Sequence, residues 1–266
     1  MTQAERRLYL IRSLLNEKTE YQSLNVPRDA EEQRKLLRSL MNVRTPKAAD
    51  ESFLHVQDAY LQQEMADEGI TDLDDLRPVS GDLYLWQGDI TRLKCGAIVN
   101  AANSGMTGCY IPCHACIDNC IHTFAGVQLR QDCAALMAEQ GHEEPTGQAK
   151  ITKAYNLPCD YVLHTVGPIV SGRVTREDER LLASCYRSCL ELAEKNSVRS
   201  IAFCCISTGV FHFPNERAAE IAVETVRRYK VETGSKIKVV FNVFKDLDKT
   251  IYERLLGANC APAARA

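Results

Sequence analysis

A single tryptophan and an aromatic content of 7% leave this chain without a row of stacking platforms for single-stranded nucleic acid. Basic residues are in no surplus either: 32 Lys and Arg against 35 Asp and Glu give a net charge of -3, which speaks against a polyanion as the main partner. No apolar run is long enough to span a bilayer, and Arg6, Arg7 and Arg12 interrupt the hydrophobic residues where a signal peptide would need them. Internal repeats and low-complexity stretches are missing too. These absences set the expectation of a cytoplasmic protein in a reducing compartment, with no membrane partner.

Cysteine, by contrast, is abundant. In a reducing compartment twelve cysteines read as core fillers or metal ligands rather than as bridges. Cys185 and Cys189 stand one helical turn apart and Cys204 and Cys205 lie in an apolar run, which suits burial; Cys95, Cys133, Cys159 and Cys260 show no partner pattern. The segment from Cys109 to His122 is different. It crowds Cys109, Cys113, His114, Cys116, Cys120 and His122 beside Asp118, the soft and borderline donors that zinc selects. Spacing does not choose among the six. If a helix starts near Ile117, Cys120 shares its apolar face with Ile117, Ile121 and Phe124 and reads as a small buried hydrophobe. His122 falls on another face and reads as a hydrogen-bonded histidine.

The chain is long enough to bury a full core. Residues 1–80 read as a helical extension: Leu8, Ile11, Leu14 and Leu15 share one helix face, Leu36, Leu37, Leu40 and Met41 a second, and Phe53, Val56 and Tyr60 a third. Pro78 and Gly81 mark the boundary of a domain over 81–260. From Leu83 onward short apolar runs alternate with helical periods, the pattern of an α/β domain with a central mixed sheet covered on both faces. Strands are expected over Leu83–Trp86, Ala97–Val99, Ile151–Ala154, Tyr161–Thr165, Ile201–Ile206 and Lys238–Val243. Helices are expected over Ile117–Glu139, with a break, and over Glu177–Asn196, Glu216–Glu232 and Leu247–Leu256.

In such sheets ligands sit beyond the strand ends, which directs attention to three loops. Asp89, in Gly88-Asp89-Ile90-Thr91, suits a helix cap or an acceptor for a ligand amine such as that of adenine. Asn100 and Asn103 flank two alanines and suit either a turn or ribose hydroxyls. The loop Ser207-Thr208-Gly209-Val210-Phe211 precedes a helix near Asn215, where Gly209 allows close backbone approach and successive amides could cradle a pyrophosphate. Phe211 and Phe213 could cover a sugar or base.

Taken in order, Gly88–Thr91, Ala97–Asn103, the stretch Asp118-Asn119-Cys120-Ile121-His122-Thr123-Phe124-Ala125-Gly126, His164–Pro168 and Ser207–Pro214 resemble the motifs of a macrodomain over residues 83–256. The resemblance implies a three-layer α/β/α fold. Where many ADP-ribosyl-hydrolysing macrodomains carry a glycine-rich loop, this chain has Gly108-Cys109-Tyr110-Ile111-Pro112-Cys113-His114-Ala115-Cys116, which resembles the zinc-dependent macrodomains of microbes. An N-terminal helical extension also occurs in that subgroup.

What the resemblance implies is mono-ADP-ribosyl-protein hydrolase activity with Zn2+ in the ADP-ribose site. It favours Cys109, His114 and Cys116 as ligands, leaving a coordination position open; Cys113 as a fourth ligand would close the site. By the same resemblance Asp89 and the Ile90 backbone would take adenine, Asn103 the ribose with the scissile bond, and Ser207, Thr208, Gly209, Val210 and Phe211 the pyrophosphate. Asp118 is the preferred catalytic residue, as general base or by orienting a water, although its place near a helix start also suits capping. An O-linked mono-ADP-ribosylated protein is the expected substrate. A non-catalytic ADP-ribose-binding module and a hydrolase of O-acetyl-ADP-ribose are the alternatives.

Overall fold

The computed structural model describes residues 1–257, so Cys260 and the end of the 81–260 domain lie outside the described residues. Three helices open the chain: α1 (Gln3–Asn16), α2 (Ala30–Val43) and α3 (Glu51–Glu68). Each starts on a side chain that satisfies free amides. Thr2 forms a capping box with Glu5, Asp29 accepts from Glu31 and Glu32, and Asp50 accepts from Phe53. Their apolar faces close on one another through Leu10, Ile11, Leu14, Leu37, Leu40, Phe53 and Tyr60. Burying one such side chain is worth roughly 1.5–3 kcal/mol, so this core fixes the three helices as a unit. It is joined by Val127 from the following domain, while Met65 of α3 and Leu73 belong to the larger core of that domain.

Short strands β1 (Thr71–Asp72) and β3 (Leu93–Lys94) pair in parallel outside the main sheet. The main sheet contains β2 (Leu83–Gln87), β4 (Ala97–Ala102), β5 (Ala149–Lys153), β6 (Tyr161–Val166), β7 (Ser200–Phe203) and β8 (Lys238–Val243). Its order is β2-β8-β7-β4-β6-β5, parallel except for β5 at the edge. Helices α4 (Ile117–Ala125) and α5 (Val127–Gln140) cover one face; α6 (Arg176–Lys195), α7 (Asn215–Thr233) and α8 (Asp246–Leu256) cover the other. This is the expected three-layer α/β/α arrangement with a mixed central sheet. Among the described residues no helix is long and apolar enough to cross a membrane.

The break expected in the helix over 117–139 falls at Gly126, whose φ of 99° and proximity to Gln57 of α3 leave no room for a side chain. One boundary differs from the sequence reading. The strand expected over Ile201–Ile206 ends at Phe203, the last residue paired with β4 and β8. The chain then leaves the sheet toward Ser207, which sits at φ 65°.

The strand order locates the ligand crevice. From β4 the chain crosses to the edge strand β5 and turns back to β6 beside β4, then passes over β4 to β7 and β8 on the other side. The carboxyl ends of β4 and β7 therefore flank the point where the winding reverses, where open α/β sheets bind ligands.

Candidate active site at the carboxyl ends of the strands

Three loops converge here. Beyond β2, Asp89 caps a 3-10 turn over Ile90–Arg92: its Oδ1 accepts from Thr91 N at 3.0 Å and from Thr91 Oγ1 at 2.7 Å. The Ile90 side chain is in the core, so only its backbone is left for a ligand. Helix α4 packs against this turn, which brings the cysteine-rich segment to the same crevice.

At the end of β4, Asn100 is fully buried and opposes His164 in the parallel register with β6. Its amide nitrogen lies 2.8 Å from Asp118 Oδ1 and 3.2 Å from His164 Nδ1. His164 thus accepts at Nδ1 and, as the neutral tautomer, donates from Nε2 to Thr152 Oγ1 at 2.9 Å. Burial lowers its pKa to about 3. Asn103 donates to the second carboxylate oxygen, Asp118 Oδ2, and to Gly108 O, each at 3.2 Å, and accepts from Gly105 N at 3.0 Å.

Asp118 does not cap α4. Cys116 occupies the N-cap, its Sγ accepting from Asn119 N at 3.4 Å, and Asp118 turns inward to the two asparagines. Burial pushes its carboxyl up to about 6, against the lowering by Asn100, the Arg130 charge and Asn103. One turn on, His122 departs from the expected hydrogen-bonded histidine. Both ring nitrogens are buried without a hydrogen-bond partner among the described residues, and Nε2 stands 3.6 Å from Asp118 Oδ1. Desolvation first, then His164 and Arg130, holds its pKa well below the usual range, so it presents a neutral ring under the carboxylate.

The donors of the loop sort themselves by direction. Ligand atoms of Cys109, His114 and Cys116 lie within 4.8 Å of one another, and Cys109 Sγ is 3.6 Å from His114 Nδ1. Tetrahedral zinc bonds of about 2.3 Å to sulfur and 2.1 Å to nitrogen put a sulfur–nitrogen pair about 3.6 Å apart, so the Cys109–His114 pair already has the spacing of zinc ligands, and Cys116 is near enough to join them. Burial raises the Cys116 thiol to about 12, and a cation would be needed to hold it as thiolate. Cys113 faces elsewhere, its Sγ 3.2 Å from Ser39 Oγ and 3.4 Å from Lys35 O on α2. Cys120 is only half-buried and lies 3.5 Å from Arg38 Nη2, so α2 rather than the sheet covers that part of α4.

The third loop follows β7. Ser207 and His212 adopt left-handed backbone, at φ 65° and 57°, whereas Gly209 does not; the sharp turns fall on residues other than the glycine. Phe213 is 1% exposed and packs in the core, which leaves Phe211 but not Phe213 for a ligand. Thr208 folds back on Cys205 O through its hydroxyl at 3.0 Å, and Phe213 N closes on Ser207 O at 3.0 Å. Between these bonds the amides of Gly209, Val210 and Phe211 donate to no protein acceptor among the described residues. Gly167 abuts the loop so closely that a Cβ there would overlap Ser207 Oγ.

This arrangement has close relatives. The Macro domain family model matches residues 99–222. A protein-ADP-ribose hydrolase of Treponema medium is 62% identical over 260 residues, covering 96% of this chain and all of the relative. The chain belongs to the macrodomain family. A protein-ADP-ribose hydrolase of Staphylococcus aureus is 51% identical over 247 residues, 92% of each chain. Among solved structures, a Trypanosoma brucei macrodomain in complex with ADP-ribose superposes with a TM-score of 0.65 at 31% identity, over 83% of this chain and 95% of that one.

Several residues that shape this macrodomain site escaped the sequence reading. His164 was visible only as part of a strand-end motif, and Asn100, read as a turn or ribose-binding residue, was not expected to bond His164 and Asp118, because the contact with His164 spans 64 positions and depends on the β4–β6 register. Asn119 looked like any helix residue, yet its buried amide donates to Cys109 O at 3.3 Å and Ile111 O at 3.0 Å.

Proposed function

We propose that the protein is a zinc-dependent hydrolase that removes mono-ADP-ribose from O-linked protein side chains. The observation that carries this reading is the position of Asp118. Its carboxylate is held by Asn100 and Asn103 two residues from Cys116, on the same edge of the crevice as the converged Cys109, His114 and Cys116 donors. The relatives named as protein-ADP-ribose hydrolases support it.

In this reading Asp89 and the Ile90 backbone receive the adenine, and the amides following Ser207 take the pyrophosphate, whose charge they complement. Asn103 reaches the distal ribose, exchanging its 3.2 Å contact with Gly108 O for a sugar hydroxyl. A zinc ion held by Cys109, His114 and Cys116 would supply Lewis acidity beside that ribose. Asp118 accepts a proton from water as the water oxygen bonds to the anomeric carbon and the bond from that carbon to the side-chain oxygen breaks. Asp118 then gives up that proton, which reaches the departing side-chain oxygen, so one water is added across the cleaved bond and the carboxylate is regenerated. Positive charge on the ribose ring in the transition state is stabilised by the same carboxylate.

The experiment is a hydrolysis panel on proteins carrying serine-, aspartate-, glutamate- and arginine-linked mono-ADP-ribose. Release from O-linkages, with the arginine linkage resistant, is expected. Tight ADP-ribose binding with no release from any linkage would contradict the enzymatic reading.

A further inference from the structure

Helix α2 carries two stripes at helical spacing. Leu37, Leu40 and Met41 enter the core of the N-terminal helices. Lys35, Arg38, Ser39 and Asn42 recur at i, i+3, i+4 and i+7 on another face. Such a polar stripe ordinarily meets water. Here it meets the eight-residue segment from Cys109 to Cys116, which carries no helix or strand.

Arg38 Nη2 donates to His114 O at 2.8 Å and to Asn119 Oδ1 at 3.0 Å. Asn42 works in both directions, accepting from Cys113 N at 2.9 Å and donating to Thr123 Oγ1 of α4 at 2.9 Å. From α5, Arg130 takes the carbonyls of Asn42 and Arg44 at 2.6 and 2.7 Å, reaches Cys109 O at 3.5 Å, and places its guanidinium 4.3 Å from the Tyr110 ring centre. The backbones of Cys109, Cys113 and His114 are thereby tied from outside the loop. One detail sets this apart from incidental packing: Arg38 Nε is buried without a hydrogen-bond partner among the described residues. Leaving such a group unpaired is unfavourable, so the contacts of Nη2 are held against a penalty.

We infer that α2 is the outer wall of the metal centre, with Arg38 and Asn42 as positioning residues that keep the Cys109, His114 and Cys116 donors converged. The inference rests on the zinc reading above. It assigns the N-terminal helices a part in the reaction: without the ties, an irregular loop must be ordered at the moment of metal binding, and the entropy of ordering weakens affinity. The apolar stripe alone would account for α2 as a cover. It cannot account for Arg38 and Asn42, which grip loop backbone instead of solvent, while the Lys35 side chain of the same stripe stays exposed beside Glu31.

The test uses the full chain. Zinc affinity is measured by competition with a chromophoric chelator for wild type, Arg38→Ala, Arg38→Lys, Asn42→Ala and the bundle-core control Leu37→Ala. Loss of either tie is expected to weaken zinc binding roughly 10- to 100-fold, the usual cost of an outer-shell partner. Arg38→Lys recovers part of it, and Leu37→Ala lowers Tm while keeping zinc affinity. ADP-ribose affinity, measured by calorimetry, stays within about threefold, because the adenine and pyrophosphate loops are untouched. Hydrogen exchange on wild type gives a readout that needs no variant: added zinc slows amide exchange in residues 35–43 of α2 together with the loop. Wild-type zinc affinity in folded Arg38→Ala and Asn42→Ala, an equal loss in Leu37→Ala, or unchanged exchange in α2 would each overturn the wall. A wild-type chain with no affinity for zinc would overturn the metal reading itself, and the wall with it.

Discussion

The amide nitrogen of Asn100 donates to Asp118 Oδ1 at 2.8 Å, joining the end of β4 to the first turn of α4 inside the protein. This bond selects the face of the carboxylate left toward the crevice. It also offsets part of the desolvation that raises the Asp118 pKa. Asn100→Ala should therefore lower kcat about 10- to 100-fold through misplacement of the carboxylate, with little change in ADP-ribose affinity. Initial rates of ADP-ribose release and calorimetry on the same preparation separate the two effects.

Direction of the thiols predicts which cysteines matter to metal. Cys113→Ser should retain zinc, because that sulfur faces Ser39 and Lys35 on α2. Cys109→Ser and Cys116→Ser should lose more than the roughly 10- to 100-fold in affinity that outer-shell changes cost. Cys116→Ser is the cleaner variant, since serine is a favoured N-cap and keeps α4 capped. Metal content by mass spectrometry and chelator competition reads all three.

Gly167 supports the loop proposed to take the pyrophosphate by having no side chain. A Cβ there would overlap Ser207 Oγ and come within 2.8 Å of Ile206 Cγ2. Ser207 is buried at φ 65° and has little freedom to withdraw. Gly167→Ala should cost roughly 1–3 kcal/mol of stability as overpacking and weaken ADP-ribose binding. Thermal unfolding and calorimetry check both.

The neutral His164 makes stability depend on acid. Its folded pKa of about 3 lies below the unfolded value of about 6.5, so the unfolded chain binds the extra proton between those limits. Its contribution is present above pH 6.5 and is lost as pH falls through that window. By pH 5 the loss from this one ring is about 2 kcal/mol. Urea unfolding at pH 7.5 and pH 5 should show a drop smaller by about that amount in His164→Gln than in wild type.

Much of this was legible from residue types and spacing. The ends of β2, β4 and β7 stood out because apolar runs stop at Asp89, Asn100 and Ser207, and the alternation of strands with helices pointed to the layered fold. Contacts across elements were less legible. The polar stripe of α2 has the periodicity of a solvated face, and only tertiary packing reveals that it meets the Cys109–Cys116 loop. Phe213 looked available for a ligand because a loop phenylalanine and a core phenylalanine read alike until the chain path is known. His122 shows the limit of local reasoning from the other side: helix phase placed it away from the apolar face, but could not show that both its nitrogens lack a partner among the described residues.

The most direct test of the proposed reaction is ADP-ribose release from one O-linked mono-ADP-ribosylated protein, measured for the metal-loaded wild type, the chelator-treated wild type before and after zinc is restored, and Asp118→Ala. The account predicts about one zinc per chain, loss of release on chelation, its return with zinc, and a fall of about 100- to 10,000-fold in Asp118→Ala. Full release by both the metal-free protein and Asp118→Ala would contradict it.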